Sequence, residues 1–165
     1  MFKLLVTESR TSYRRAAAFT IFRAVVPLKK RQHSTYASQA VLASLHNPFH
    51  DFSDSQHQSS ENSFLEARSA LLSLTILLSN TEPSPPFISK LLSPIISSLY
   101  LLSYDLNKLK TADPQLKESI TGLLLSWGKI VDENEGTQIL WSILDGGKEG
   151  DWKFNLEGQF WKSKP

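Results

Sequence analysis

The sequence predicts an all-α chain: HEAT-like antiparallel helical hairpins forming an α-solenoid segment, with a disordered linker and a short extended C-terminal tail. Three observations predict it. Between Phe64 and Leu144 the apolar residues recur at three- and four-residue steps, the spacing of a helix face rather than of a strand. Prolines and capping residues punctuate that stretch at intervals suited to helices. One link between two apolar stripes, Thr111-Ala112, is so short that the helices it joins must lie antiparallel.

The first of these helices starts at Ser63. Ser63-Phe-Leu-Glu66 has the capping-box arrangement, in which the serine hydroxyl accepts from a free N–H and the glutamate reaches back. A broad apolar run from Phe64 to Leu78 follows, suited to a helix buried on most sides, and Asn80 and Pro83 end it. The second helix opens at Pro85-Pro86, because proline's fixed φ suits a first turn. Its stripe of Ile88, Leu91, Leu92, Ile95, Ile96, Leu99, Leu102 and Leu106 is the strongest periodicity in the chain. Pro94 lies inside it, lacks a backbone donor, and should kink or split the helix near Ser93. Lys108 and Lys110 suit its closing turn. Asp113-Pro114 then reads as an N-cap followed by proline at the first helical position. Leu116, Ile120, Leu123, Leu124, Trp127, Ile130 and Val131 make the third stripe. Asp132-Glu-Asn-Glu135 reads as an acidic break before a short helix over Thr137–Leu144, which Gly146-Gly147 stops. In the tail, Trp152, Phe154 and Leu156 alternate at period two, as in a short strand. A single strand is not stable alone, so its pairing surface is expected outside this sequence.

The chain divides into three parts: a basic N-terminal helical segment over 1–31, a disordered polar linker over 32–62, and the HEAT-like segment over 63–161. The linker assignment rests on its Ser, Gln, His and Asn content, too poor in apolar surface to offset the entropy of ordering. The net charge of +2 conceals an asymmetry. Residues 1–50 carry eight Lys/Arg against Glu8 alone, whereas residues 51–165 carry ten basic and fifteen acidic side chains. Cations are therefore not clustered on the helical part, and direct nucleic-acid binding there is not expected. The Arg-rich, acid-poor start is also a composition of mitochondrial transit peptides. The longest charge-free apolar stretches, Ser69–Thr81 and Leu91–Tyr104, are shorter than the ~20 residues a bilayer core requires, so no transmembrane segment is expected.

The search for reactive chemistry returns no catalytic, cofactor or metal site. With no cysteine, thiolate zinc sites and cysteine nucleophiles are excluded. All four histidines (33, 46, 50 and 57) precede the HEAT-like segment, so a serine–histidine triad cannot form inside it. His46 and His50 stand four apart near Asp51 and Asp54, but Pro48 between them spoils a regular helical metal clip. Gly146-Gly-Lys-Glu-Gly150 lacks phosphate-loop spacing, and Asp132, Glu133 and Glu135 read as a solvated loop. Of the tryptophans, Trp127 and Trp141 read as core. Trp152 and Trp161 read equally as core or as partner anchors, and with Phe154 they are the candidate protein-interaction residues.

Several short motifs in order resemble one stretch of a known family. They are Ser93-Pro-Ile-Ile-Ser-Ser-Leu-Tyr100, Lys110-Thr-Ala-Asp-Pro114, Leu116-Lys-Glu-Ser119, Trp127-Gly128 within Leu123–Ile130, Gly136 to Trp141, and Gly150-Asp-Trp152 with Leu156-Glu-Gly158. The family is that of the fungal RNA polymerase II assembly factors, large HEAT-repeat proteins related to the animal transport-and-Golgi-organisation protein six. The resemblance covers about residues 64–161. It implies an internal segment of a longer solenoid and a non-catalytic scaffold working in polymerase II assembly, nuclear import or protein transport. Implied partners are polymerase II subunits or transport factors; the implied location is cytoplasmic with shuttling to the nucleus. The alternative, from the basic start, is a small mitochondrial protein with a cleaved Arg-rich leader.

Overall fold

The computed structural model describes residues 10–26, 36–50, 60–109, 113–145, 152–154 and 160–162. In chain order these form α1 (Thr11–Val25), α2 (Tyr36–His50), α3 (Ser60–Ser79), α4 (Pro85–Leu92), a single 3₁₀ turn (Ser93–Ile95), α5 (Ile96–Lys108), α6 (Pro114–Ile130), α7 (Glu133–Asp145), and strands β1 (Trp152–Phe154) and β2 (Phe160–Lys162). The architecture is all-α, with helices packed on one another and a small antiparallel hairpin beside them.

Local chemistry sets the boundaries. Pro85 stands at the start of α4, where Ser84 is extended and its carbonyl accepts from Phe87 and Ile88 N–H at 3.0 and 2.9 Å. Pro94 has no N–H to continue the ladder, and the apolar run divides there into α4, the 3₁₀ turn and α5. Asp113 caps α6, its Oδ1 accepting from Gln115 N–H at 2.9 Å. α5 and α6 are antiparallel: the end of α5 leads within a few residues to the start of α6. At the far end of α6, Trp127 Nε1–H donates to Ser93 Oγ, just ahead of α5, at 3.0 Å.

One continuous core runs through the helices. Phe87, Ile88, Leu91, Leu92, Ile95, Leu99 and Leu102 in the central run are fully buried, as are Ile21, Val25, Phe49, Leu74, Leu77 and Ile120. The run Pro85–Lys108 is 24 residues long and apolar enough by length and composition to cross a bilayer. In this fold its stripe is the centre of the core.

Several expectations need correction. Residues 36–50 of the expected polar linker form α2, which packs against α1 and α3 and buries Leu45 and Phe49. Their four-residue spacing gives a narrow stripe that suffices because α1 and α3 cover it. Pro48 is accommodated near the end of that helix. Residues 51–59 lie outside the description. Thr11–Val25 of the basic segment form α1, whose Ala17, Ala18, Ile21 and Val25 share the same core. α3 begins at Ser60, three residues ahead of the expected cap; the side chains of Ser63 and Glu66 are not among those described. The acidic stretch is no break but the start of α7, with Asp132 Oδ1 accepting from Asn134 N–H at 3.0 Å and its carbonyl from Gly136 N–H at 2.8 Å. The tail strand finds its partner within the chain: β1 pairs with β2, Trp152 opposite Lys162 and Phe154 opposite Phe160. The Gly146–Gly150 turn and the Thr111-Ala112 link lie outside the described residues.

Candidate protein-docking face

A helix ending inside a core leaves its last carbonyls without intrahelical donors, and an unmet buried carbonyl is costly. This fold meets several of them with side chains from other helices. Lys90 of α4 donates to the carbonyl of Val25, the last residue of α1, at 3.3 Å. Buried Ser98 of α5 donates to the carbonyl of Phe49, in the last turn of α2, at 3.1 Å. His46 Nε2 lies 2.9 Å from the carbonyl of Leu91, next to the Pro94 break. The carbonyl can only accept, so Nε2 carries the proton. Burial holds the His46 pKa below its ordinary value, outweighing the raising effect of the Leu91 carbonyl, and nearby His50 adds to the lowering. His46 is therefore part of the framework rather than a solvated linker residue. Among the described residues no group of three metal-ligating side chains comes together.

The same framework fixes α7. Its inner side carries Ile139 and Ile143, packed on the core, and Glu135, whose carboxylate accepts from Ser89 Oγ of α4 at 2.7 Å. With 3.6 residues per turn, Leu140, Trp141 and Leu144 fall on the opposite arc, and they are 51, 60 and 75 % exposed. Trp141 thus departs from the expectation of core, whereas Trp127 fulfils it at 5 %. Glu133 and Thr137 share the outer arc. The whole helix, Glu133–Asp145, holds acidic side chains and no Lys or Arg. Adjacent exposed Leu, Trp and Leu on one helix face is the arrangement expected where another protein packs.

Of the interaction candidates read from the sequence, Trp152 and Phe154 lie on β1 and Trp161 on β2. Trp161 pairs with Lys153, so the register places it in a different row from Trp152 and Phe154. The hairpin backbone lies beside α3 and α5. The sequence reading did not single out the α7 face. Its signal was present: the apolar residues from Ile139 to Leu144 occupy more arc than one buried face can use.

An open groove of about 500 Å³ lies between α3 and α6, lined by Thr75, Ser79, Gln115, Ser119, Gly122 and Ser126 among others. Two of its hydroxyls are engaged locally: Thr75 Oγ1 and Ser79 Oγ donate to carbonyls one turn back in α3 at 3.0 and 2.8 Å. Comparisons of the chain with protein-family models, curated proteins and solved structures each find no match.

Proposed function

We propose that the chain is a non-catalytic helical scaffold segment that works by presenting helix faces to other proteins. The observation that carries this reading is the outer arc of α7. Its three large apolar side chains stay in water while the inner arc of the same helix is packed. Apolar surface left exposed in one contiguous group favours association, because burying it releases about 25 cal/mol per Å². On this reading the stacked helices are HEAT-like, and the short motifs between Ser93 and Gly158 give the scaffold its setting in RNA polymerase II assembly, nuclear import or protein transport.

The test is co-purification of the intact chain with polymerase II subunits, with a Trp141→Ala/Leu144→Ala variant run in parallel. Retention by the parent and loss by the variant supports both the face and the setting. A stably folded chain that retains no subunit removes the polymerase role.

The mitochondrial reading is the weaker of the two. A cleavable leader must leave a sound domain behind, and α1 supplies buried Ile21 and Val25 and sets Phe22 edge-on to Phe87 at 4.9 Å between ring centroids.

A further inference from the structure

We propose that the outer face of α1 docks on an anionic phospholipid bilayer, Phe19 entering the acyl boundary while Arg15 and Arg23 meet the lipid phosphates around it. This surface and partner are additional to the α7 docking reading, and neither depends on the other.

The face follows from the inner side of the helix. On α1, Ala17, Ala18, Ile21 and Val25 are buried against the core. With 3.6 residues per turn, the opposite arc holds Ser12, Arg15, Ala16, Phe19 and Arg23, all of them exposed. Phe19 stands near the middle of that arc and is 61 % exposed. Arg15 and Arg23 lie four residues to either side of it, and the Arg23 guanidinium is 5.9 Å from the centre of its ring. Tyr13 borders the arc, 54 % exposed, with the Arg10 guanidinium 5.8 Å from its ring. Aromatic and cationic groups thus alternate along the outside of one helix.

The surroundings hold no opposing charge. α1 carries three arginines and no Asp or Glu. α2 and α4 pack against it; neither has an acidic residue, and α4 adds Lys90. Residues 51–165 as a whole carry ten basic and fifteen acidic side chains. A negative surface therefore attracts the α1 side and repels the remainder, which turns α1 toward it.

The ring decides which anion fits. Anything that touches both guanidinium groups must also cover Phe19 between them. A nucleic-acid duplex offers phosphates with no apolar layer behind them. At a bilayer surface the phosphates overlie acyl chains, and an amphipathic helix sinks about 5–10 Å into that boundary. Both arginines then find phosphate oxygens that suit their planar forks, and the ring leaves water. A bilayer also has no fixed shape to match, which suits a convex helical arc. A single strand can stack a base on the ring, and it is the competitor to test.

The test is co-sedimentation of the intact chain with phosphatidylcholine vesicles containing about 30 mol % phosphatidylserine. Vesicles of phosphatidylcholine alone and poly(U) in solution are run in parallel. At about 0.05 M salt the wild type is expected to bind the anionic vesicles at least about tenfold more tightly than the neutral ones, and to weaken severalfold at about 0.5 M. Arg15→Glu with Arg23→Glu should lose about tenfold or more, Arg15→Gln with Arg23→Gln a smaller part, and Phe19→Ala about threefold. All three positions are exposed, and unchanged helical circular dichroism checks the fold; if the Glu pair unfolds, the Gln pair carries the test. The Trp141→Ala/Leu144→Ala variant keeps this arc and should bind vesicles like the wild type. A wild type that binds neither vesicle, or both alike, overturns the proposal. So do arginine variants that bind as the wild type does, or a loss in the Trp141→Ala/Leu144→Ala variant, which would put the contact on α7. Tighter binding to poly(U) than to the anionic vesicles overturns it in favour of a single-stranded nucleic acid.

Discussion

Two phenylalanines on the first two helices separate packing from mere hydrophobicity. Phe49, on α2, is fully buried; Phe19, on α1, is 61 % exposed. Truncating each to alanine removes the same atoms. At Phe49 the loss combines the transfer free energy of a buried ring with a cavity, because α1, α3 and α5 are held by their own contacts and collapse only in part. Phe-to-Ala changes in such sites cost about 3–5 kcal/mol. At Phe19 no cavity forms, and the loss is confined to the Arg23 contact and a little covered surface, about 0.5–1 kcal/mol. Equilibrium unfolding in urea, followed by helical circular dichroism and by tryptophan fluorescence, reads the difference. With a slope of about 1–3 kcal/mol per molar urea, Phe49→Ala should move the midpoint down by about 2 M and Phe19→Ala by less than 0.5 M. Equal shifts, or a Phe49→Ala shift no larger than that of Phe19→Ala, would refute the assignment of α2 to the core.

Three further perturbations follow from the same contacts. The folded-state pKa of His46 lies below the ordinary 6.5, so the unfolded chain binds more protons between the two values. Its share of stability is then full above about pH 6.5 and declines as pH falls toward the folded pKa; unfolding at about pH 7.5 and 5.5 should show a fall in the wild type that His46→Gln reduces. Trp127→Phe removes the 3.0 Å bond to Ser93 Oγ with little change in apolar surface, and thermal melting should report a loss of about 1–2 kcal/mol. Asp113→Ala removes the α6 cap and the partner of Arg68 Nη2 at 3.2 Å, which should cost about 1 kcal/mol in the same melting assay.

Features set by one residue's own backbone chemistry were legible in the sequence. Pro85 at a helix start, the break at Pro94 and the Asp113 cap depend on φ and on missing or supplied hydrogen bonds within a few residues, and each stands where it was read. The face chosen for burial was less legible. In α2 the row Val41, Leu45 and Phe49 has helical spacing, but so narrow a row does not order a segment unless neighbours cover it, and the coverage comes from α1 and α3. In α7 the periodicity of Ile139 and Ile143 is as good as that of Leu140 and Leu144. Spacing alone does not say which row turns inward; Glu135 reaching Ser89 does. The carbonyl partners Lys90, Ser98 and His46 lie 65, 49 and 45 positions from the groups they serve, and no local pattern announces them.

Those long-range bonds bear on whether the basic start is detachable. Removing residues 1–31 deletes α1 and with it the buried Ile21 and Val25, each worth about 1.5–3 kcal/mol in transfer free energy. It also uncovers the ring of Phe87 where Phe22 packs and releases the Lys90 ammonium from the Val25 carbonyl. About 3–6 kcal/mol from the two aliphatic side chains alone is comparable with the whole stability of a small domain, about 5–15 kcal/mol. A chain of residues 32–165 should therefore melt far below the intact one or lose its cooperative transition. If it instead melts at the same temperature with the same cooperativity, α1 adds nothing to the core, and a leader that leaves a sound domain behind becomes the better account of the arginines.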